Sequence, residues 1–147
     1  SAGALEVAAA NAERHGLADR LELRPGSLWA PIGEAEVFRV IVANPPYVAA
    51  AERGELAPEV RDHEPEEALF AGSDGLDLVR QIVAGARVHL AGGGLLALEV
   101  GLGQAQEVAA LCRDAGFASV RVATDLAGRE RIVLATDDER TPQDGVS

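Results

Sequence analysis

Val37-Phe38-Arg39-Val40-Ile41-Val42-Ala43-Asn44-Pro45-Pro46-Tyr47 is an apolar run that stops at a polar corner. Its β-branched centre, residues 40–42, reads as a strand buried on both faces, as in a parallel sheet. Pro45 and Pro46 end it, because neither offers an N–H to a ladder and each fixes its own φ. The residue before a proline is held extended as well, so Asn44 and Pro45 are both restricted. The result is a stiff corner at the carboxyl end of a strand, displaying a carboxamide and an aromatic ring. That edge of an open α/β sheet is where ligands bind.

Such a corner suits a planar NH₂ group. The Asn44 side-chain oxygen and the Pro45 carbonyl are two acceptors at fixed spacing, able to take both hydrogens of an amide or of an exocyclic amine. Tyr47 can cover the flat face of that group. The plainer reading is a turn with a buried Tyr and an Asn cap; the strand directly before the motif favours binding.

Working outward, the 147 residues are 48 % hydrophobic and 25 % charged, as for one soluble domain with a core. No apolar run of about eighteen residues exists, which excludes a spanning helix, and no signal peptide is visible at Ser1. The single Cys112 rules out an internal disulfide and fits the reducing cytoplasm. His15, His63 and His89 are isolated, so no metal set is expected. The net charge of −11 and the absence of lysine argue against a nucleic-acid grip.

Residues 3–15 have the spacing of a helix, with Leu5, Ala8, Ala9 and Ala12 on one face and Gly16 as its stop. Residues 20–24 alternate and predict a strand, followed by the loop Pro25-Gly26-Ser27-Leu28-Trp29. Residues 48–72 predict a long irregular segment containing the acidic Glu64, Glu66 and Glu67. Ser73 or Asp74 is expected to cap a helix whose stripe is Val79, Ile82, Val83, Ala86 and Leu90, stopped by Gly92-Gly93-Gly94. An apolar strand over 95–100 carries one carboxylate, Glu99, which either pairs within a site or marks the strand's exit. Gly101 and Gly103 predict a turn, and a helix over 104–115 buries Val108, Leu111, Cys112 and Ala115. Residues 118–124 and 132–135 predict a closing strand pair, and 137–147 a disordered tail.

Asn44-Pro45-Pro46-Tyr47 resembles the substrate motif of amino-methyltransferases that use S-adenosylmethionine. Glu59-Val60-Arg61-Asp62-His63-Glu64-Pro65, Ala68-Leu69, Asp74-Gly75-Leu76-Asp77, Leu98-Glu99-Val100-Gly101 with Gln104, and Asp125-Leu126-Ala127-Gly128 with Arg131 narrow it. Together they resemble the HemK family of protein-(glutamine-N5) methyltransferases over roughly residues 4 to 136. The resemblance implies an α/β, Rossmann-like class I methyltransferase fold with strand order 3-2-1-4-5-7-6. On that reading residues 1–136 are a C-terminal portion of the catalytic domain. They supply strands 3 to 7, while strands 1 and 2 and the Gly-rich cofactor loop are missing; Gly101-Leu102-Gly103 follows the wrong strand to replace that loop.

The resemblance also implies roles. Asn44 and Pro45 are the catalytic pair, Asn44, Pro45, Pro46 and Tyr47 bind the substrate, and Ser27, Leu28 and Asn44 meet S-adenosylmethionine. Ser27 stands where the family usually has Asp, leaving a weaker acceptor for the adenine amine. Glu59, Arg61 and Glu64 shape a substrate-facing flap. The implied partner is a peptide chain release factor in the cytoplasm, with no nucleic acid and no membrane. A DNA adenine N6-methyltransferase is the alternative, because the same corner holds an exocyclic amine. A non-catalytic fragment without its cofactor loop is the other.

Overall fold

A computed structural model describes residues 1–47 and 75–137. The chain divides into two compact units, Ser1–Glu36 and Val37–Ser147. The first opens with helix α1 (Ala2–Arg14), whose N-terminus is capped by the Ser1 hydroxyl. After the C-cap His15, Gly16 takes φ +64°. Gly16 N–H donates to the Glu13 carbonyl and Leu17 N–H to that of Ala12, the paired bonds of a Schellman stop.

The strand expected over residues 20–24 does not form. Ala18–Arg20 is a 3₁₀ turn, and Leu21 beyond it is extended but in no ladder among the described residues. Alternation makes a segment able to be a strand; only a neighbour with free N–H and C=O groups makes it one. Side chains organise the segment instead. Arg24 donates to both carboxylate oxygens of Glu36, at 2.6 and 2.8 Å, to Glu22 and to the Pro31 carbonyl. The bonds to Glu36, then to Glu22, raise the Arg24 pKa above its ordinary value, and the bond from Arg24 lowers that of Glu22.

The second unit is a four-stranded sheet with two helices. Its elements are β1 (Phe38–Ala43), α2 (Asp77–His89), β2 (Leu90–Glu99), α3 (Ala105–Asp114), β3 (Ser119–Thr124) and β4 (Glu130–Thr136). The strands lie in the order β1-β2-β4-β3. β1 and β2 are parallel, and β4 runs antiparallel to both of its neighbours. This is the 4-5-7-6 half of the expected order, so the partial class I fold is present with four of its five expected strands.

Register decides which side chains form the core. Ile41 and Ala43 pair with Leu96 and Leu98, which pair in turn with Ala135 and Val133. Leu96, Leu98, Val133 and Ala135 are fully buried. They share a face with Val120 and Val122, and α2 and α3 close over it. α2 brings Val79, Ile82, Val83 and Ala86, four of the five residues of the expected stripe, the fifth, Leu90, being the first of β2; α3 brings Ala105, Val108, Ala109 and Cys112. Each fully buried Leu or Val contributes about 1.5–3 kcal/mol. Burial also pushes the Cys112 thiol up to about 11, which leaves it a packing group.

Three expectations need correction here. Val40 and Val42 are 55 % and 74 % exposed, so β1 is not buried on both faces: it is an edge strand, and no helix of this unit covers their side among the described residues. The helix α2 has Leu76 as its N-cap, with no side-chain cap bond. Ser73 and Asp74 lie outside the described residues. The Leu76 side chain is buried instead, and Asp77 supplies a carboxylate in the first turn. Finally, Gly92-Gly93-Gly94 does not separate helix from strand, since β2 begins at Leu90. Phe38 pairs with Leu90 and Val40 with Leu95, so six residues of β2 oppose three of β1. Gly93 at φ +72° makes that bulge, and a Cβ on Gly94 would stand 2.8 Å from the Ala91 carbonyl oxygen.

Asp137, which the sequence places in the tail, ends the described chain. Its N–H donates to the Gly94 carbonyl and its carboxylate meets Arg87 at 2.6 Å. Residues 138–147 lie outside the described residues.

Candidate active site

The corner stands at the carboxyl end of β1. Asn44 is exposed there, Pro45 is buried, and Pro46 and Tyr47 are half-buried. Because β1 and β2 are parallel, with Ala43 beside Leu98, the residues just past Leu98 emerge next to this corner. They are Glu99, Val100, Gly101 and Gln104.

Gln104 uses both ends of its carboxamide. Its Oε1 accepts from the Gly101 N–H at 2.9 Å, and its Nε2 donates to the Tyr47 carbonyl at 3.0 Å. Gly101 makes room for both. A Cβ there would stand 2.5 Å from Gln104 Oε1 and 3.1 Å from Tyr47 Cδ2. No side chain larger than hydrogen fits without moving the carboxamide or the ring.

Arg131 closes the other side. β4 lies beside β2, and the Val100 N–H donates to the Arg131 carbonyl. From that position the guanidinium lies 5.1 Å from the centre of the Tyr47 ring, and Nη2 is 3.3 Å from Glu99 Oε1. Glu99 thus does both things the sequence left open: it ends β2 and it pairs within the site. The neighbouring Tyr47, then Glu99, raises the Arg131 pKa. Each contact is modest, about 0.5–1 kcal/mol for a cation over a ring and no more than about 1 kcal/mol for a half-exposed ion pair. Their effect is to hold the ring in one place.

Asn44, Pro45, Pro46 and Tyr47 are therefore together in the second unit, joined by Glu99, Gly101, Gln104 and Arg131. Ser27 and Leu28 belong to the first unit, in the loop after Arg24. Ser27 is exposed and Leu28 half-buried at φ +49°, a conformation costing a non-glycine residue roughly 1–2 kcal/mol. Glu59, Arg61 and Glu64 lie outside the described residues. Asp125-Leu126-Ala127-Gly128 is the β3–β4 turn: Asp125 Oδ1 accepts from the Ala127 and Arg129 N–H groups and Oδ2 from Arg129 Nε. The sequence quoted Gln104 and Arg131 only as parts of a resemblance. The signal for their joint role was Glu99, a carboxylate closing an otherwise apolar strand.

No family model matches the chain. Curated proteins do. A release factor glutamine methyltransferase of Gloeobacter violaceus is 49 % identical over 135 residues, 91 % of this chain and 47 % of its own length. One of Cereibacter sphaeroides is 50 % identical over 135 residues, 92 % of this chain and 48 % of its own. The chain belongs to the HemK family. A further relative, the ribosomal protein uL3 glutamine methyltransferase of Bordetella pertussis, is 52 % identical over 101 residues, 69 % of this chain and 33 % of its own. The HemK-family chain spans about half the length of the release factor methyltransferases it matches. Among solved structures, a methyltransferase from Pyrococcus furiosus superposes with a TM-score of 0.60 at 17 % identity, covering 90 % of this chain and 57 % of its own. TrmN from Thermus thermophilus gives 0.55 at 19 %, over 93 % of this chain and 34 % of its own. These two show the fold that the HemK-family chain shares. Among the described residues no helix is long and apolar enough to cross a membrane.

Proposed function

We propose that the protein carrying this chain transfers a methyl group from S-adenosylmethionine to the side-chain amide nitrogen of a glutamine in a peptide chain release factor, in the cytoplasm. The observation that carries the reading is the Asn44–Tyr47 corner, exposed at Asn44 and braced at Tyr47 by Gln104 and Arg131. An amide nitrogen is a poor nucleophile because its lone pair is delocalised into the carbonyl. Asn44 and Pro45 accept its two hydrogens and turn the nitrogen toward the donor, and their carbonyl dipoles oppose the positive charge that grows on it. Alignment supplies much of the rate. Proton loss follows methyl transfer and needs no dedicated base among these residues.

S-adenosylmethionine, when bound, supplies an electrophilic methyl on a sulfonium. Of the first unit, Ser27 would offer its exposed hydroxyl to an adenine amine and Leu28 an apolar side chain to its ring; Asn44, in the second unit, would be the third contact to the cofactor. The donor set is incomplete in this chain, because no Gly-rich turn precedes Asn44.

A second substrate is favoured by one comparison, since the uL3 methyltransferase shares 52 % of 101 residues. The net charge of −11 without lysine counts against DNA as substrate. The test is incubation of the full-length protein and cofactor with purified release factor, with ribosomal protein uL3 and with adenine-containing DNA. Peptide mass spectrometry is expected to locate one added methyl on a release factor glutamine. Methylation of uL3 alone would move the assignment to the second substrate, and methyl on DNA would overturn it.

A further inference from the structure

One carboxamide ties together two segments that are 57 residues apart in sequence. The Oε1 of Gln104 takes the Gly101 N–H and its Nε2 gives a hydrogen to the Tyr47 carbonyl. The first bond braces the turn that leads into α3: Gln104 is the residue before the helix, its N–H donates to the Gly101 carbonyl, and its side chain takes the Gly101 N–H in return. Closing that turn needs nothing more. The second bond serves no part of α3, and it fixes the peptide that ends the diproline corner. Between Asn44 and Tyr47 the φ angles of Pro45 and Pro46 are locked by their rings, and the residues before them are held extended. The backbone torsions left free between the Pro45 oxygen and the Tyr47 carbonyl are Pro46 ψ and Tyr47 φ and ψ, so a bond that holds the Tyr47 carbonyl removes much of the freedom left to the corner.

We propose that Gln104 is a positioning residue for the methyl acceptor: its Nε2 donor holds the Tyr47 carbonyl and, through Pro46 and Pro45, aims the two oxygens that receive the amide hydrogens. The inference rests on the acceptor reading of Asn44 and Pro45 given above. Gly101 belongs to the same arrangement, since its missing side chain leaves the space that Gln104 Oε1 and the Tyr47 ring occupy.

The two bonds of Gln104 are separable by substitution. Gln104→Glu keeps an acceptor for the Gly101 N–H but sets a second acceptor against the Tyr47 carbonyl. Gln104→Ala removes both bonds. Gln106→Ala, at an exposed residue that bonds Glu130 on the helix surface, is the control. In the full-length protein, Gln104→Glu is expected to unfold at the wild-type temperature and to bind S-adenosylmethionine with unchanged affinity. At neutral pH its kcat on the glutamine substrate is expected to fall on the order of 10²-fold, the loss typical of a misplaced reacting group. The deficit relative to wild type narrows as pH falls toward the carboxyl range near about 4.3, because a protonated Glu again donates.

Wild-type kcat in Gln104→Glu overturns the proposal. So does an unfolding temperature lowered as far as in Gln104→Ala, which reduces Gln104 to a brace of the turn before α3. If the wild-type enzyme methylates no glutamine at all, it is the acceptor reading that fails. Spectra of ¹³C-labelled tyrosine then decide the positioning role, with the Tyr47 signal assigned by its loss in Tyr47→Phe. A signal shifted in Gln104→Glu but not in Gln106→Ala supports the role, and an unmoved one overturns it.

Discussion

The guanidinium of Arg131 lies 5.1 Å from the centre of the Tyr47 ring. One residue comes from β4 and the other from the loop after β1, so the contact reaches across β2, the strand between them. It separates what the ring does from what the hydroxyl does. Tyr47→Phe keeps the cation over the ring, worth about 0.5–1 kcal/mol, and loses only the hydroxyl. Tyr47→Ala loses both and empties the space beside Gly101. Methyl-transfer rates are expected to fall only a few-fold for Phe, which keeps the ring contact, and much further for Ala. Equal losses in the two variants would show that the hydroxyl, not the ring, sets the site.

Asn44→Ala tests the acceptor pair directly. Asn44 is exposed at the strand end, so its replacement disturbs little packing. One oriented dipole lost from a transition state costs about 2–4 kcal/mol, by analogy with oxyanion-hole donors. Single-turnover rates are expected to drop accordingly, while calorimetric titration with S-adenosylmethionine changes little. Near-normal methyl transfer by the variant would remove Asn44 from the chemistry.

Gly101→Ala is expected to be costly out of proportion to one methyl group. The added carbon would stand 2.5 Å from Gln104 Oε1 and 3.1 Å from the Tyr47 ring, so the carboxamide must swing away. Overpacking of this kind costs about 1–3 kcal/mol. Chemical denaturation would measure it, and an unchanged midpoint would mean the turn yields without strain.

The β3–β4 turn gives a prediction about acid. The Asp125 carboxylate accepts from the Arg129 N–H, the Arg129 side chain and the Ala127 N–H, and these bonds lower its pKa below the ordinary 3.8. A depressed carboxyl stabilises the fold above its unfolded value and loses that contribution as pH falls through the folded one. The turn is therefore intact at neutral pH and loosens only below about 3.8. Amide exchange at Ala127 and Arg129 is expected to accelerate in that window. Asp125→Asn, which keeps an acceptor oxygen but not the charge, should flatten the response; identical acid profiles would discount the carboxylate.

What the sequence could tell followed from how local each signal is. The proline pair, the α2 stripe of Val79, Ile82, Val83 and Ala86, and the alternation in β3 and β4 carry their structure within a few residues. The order of the sheet came from the resemblance and agrees with the observed pairing. Neighbours were less legible. Residues 20–24 have a strand's pattern but no ladder, and Val40 and Val42 have a core's composition but an edge's exposure. Both depend on what lies alongside, which no window of sequence records. The bracing of Tyr47 was hidden for the same reason, since Gln104 and Arg131 reach it from 57 and 84 residues away in the chain.

That edge is itself testable. β1 ends the order β1-β2-β4-β3, so one side of its backbone has no ladder among the described residues. Val37, Val40 and Val42 add apolar surface there, at 60 %, 55 % and 74 % exposure. A long apolar edge offers unpaired N–H and C=O groups to any other strand, and proteins ordinarily blunt such edges with charge. β1 carries only Arg39 for that purpose. Residues 1–147 produced alone are therefore expected to associate, and to bind S-adenosylmethionine weakly, since no Gly-rich turn precedes Asn44. Val42→Lys puts a second cation on the strand at a position already 74 % exposed, so it costs the core little. Sedimentation velocity across a concentration series is expected to show association in the parent chain and a shift toward monomer in Val42→Lys. A parent chain that stays monomeric throughout, and titrates with the cofactor at micromolar concentration, would mean that the β1 edge is covered in solution.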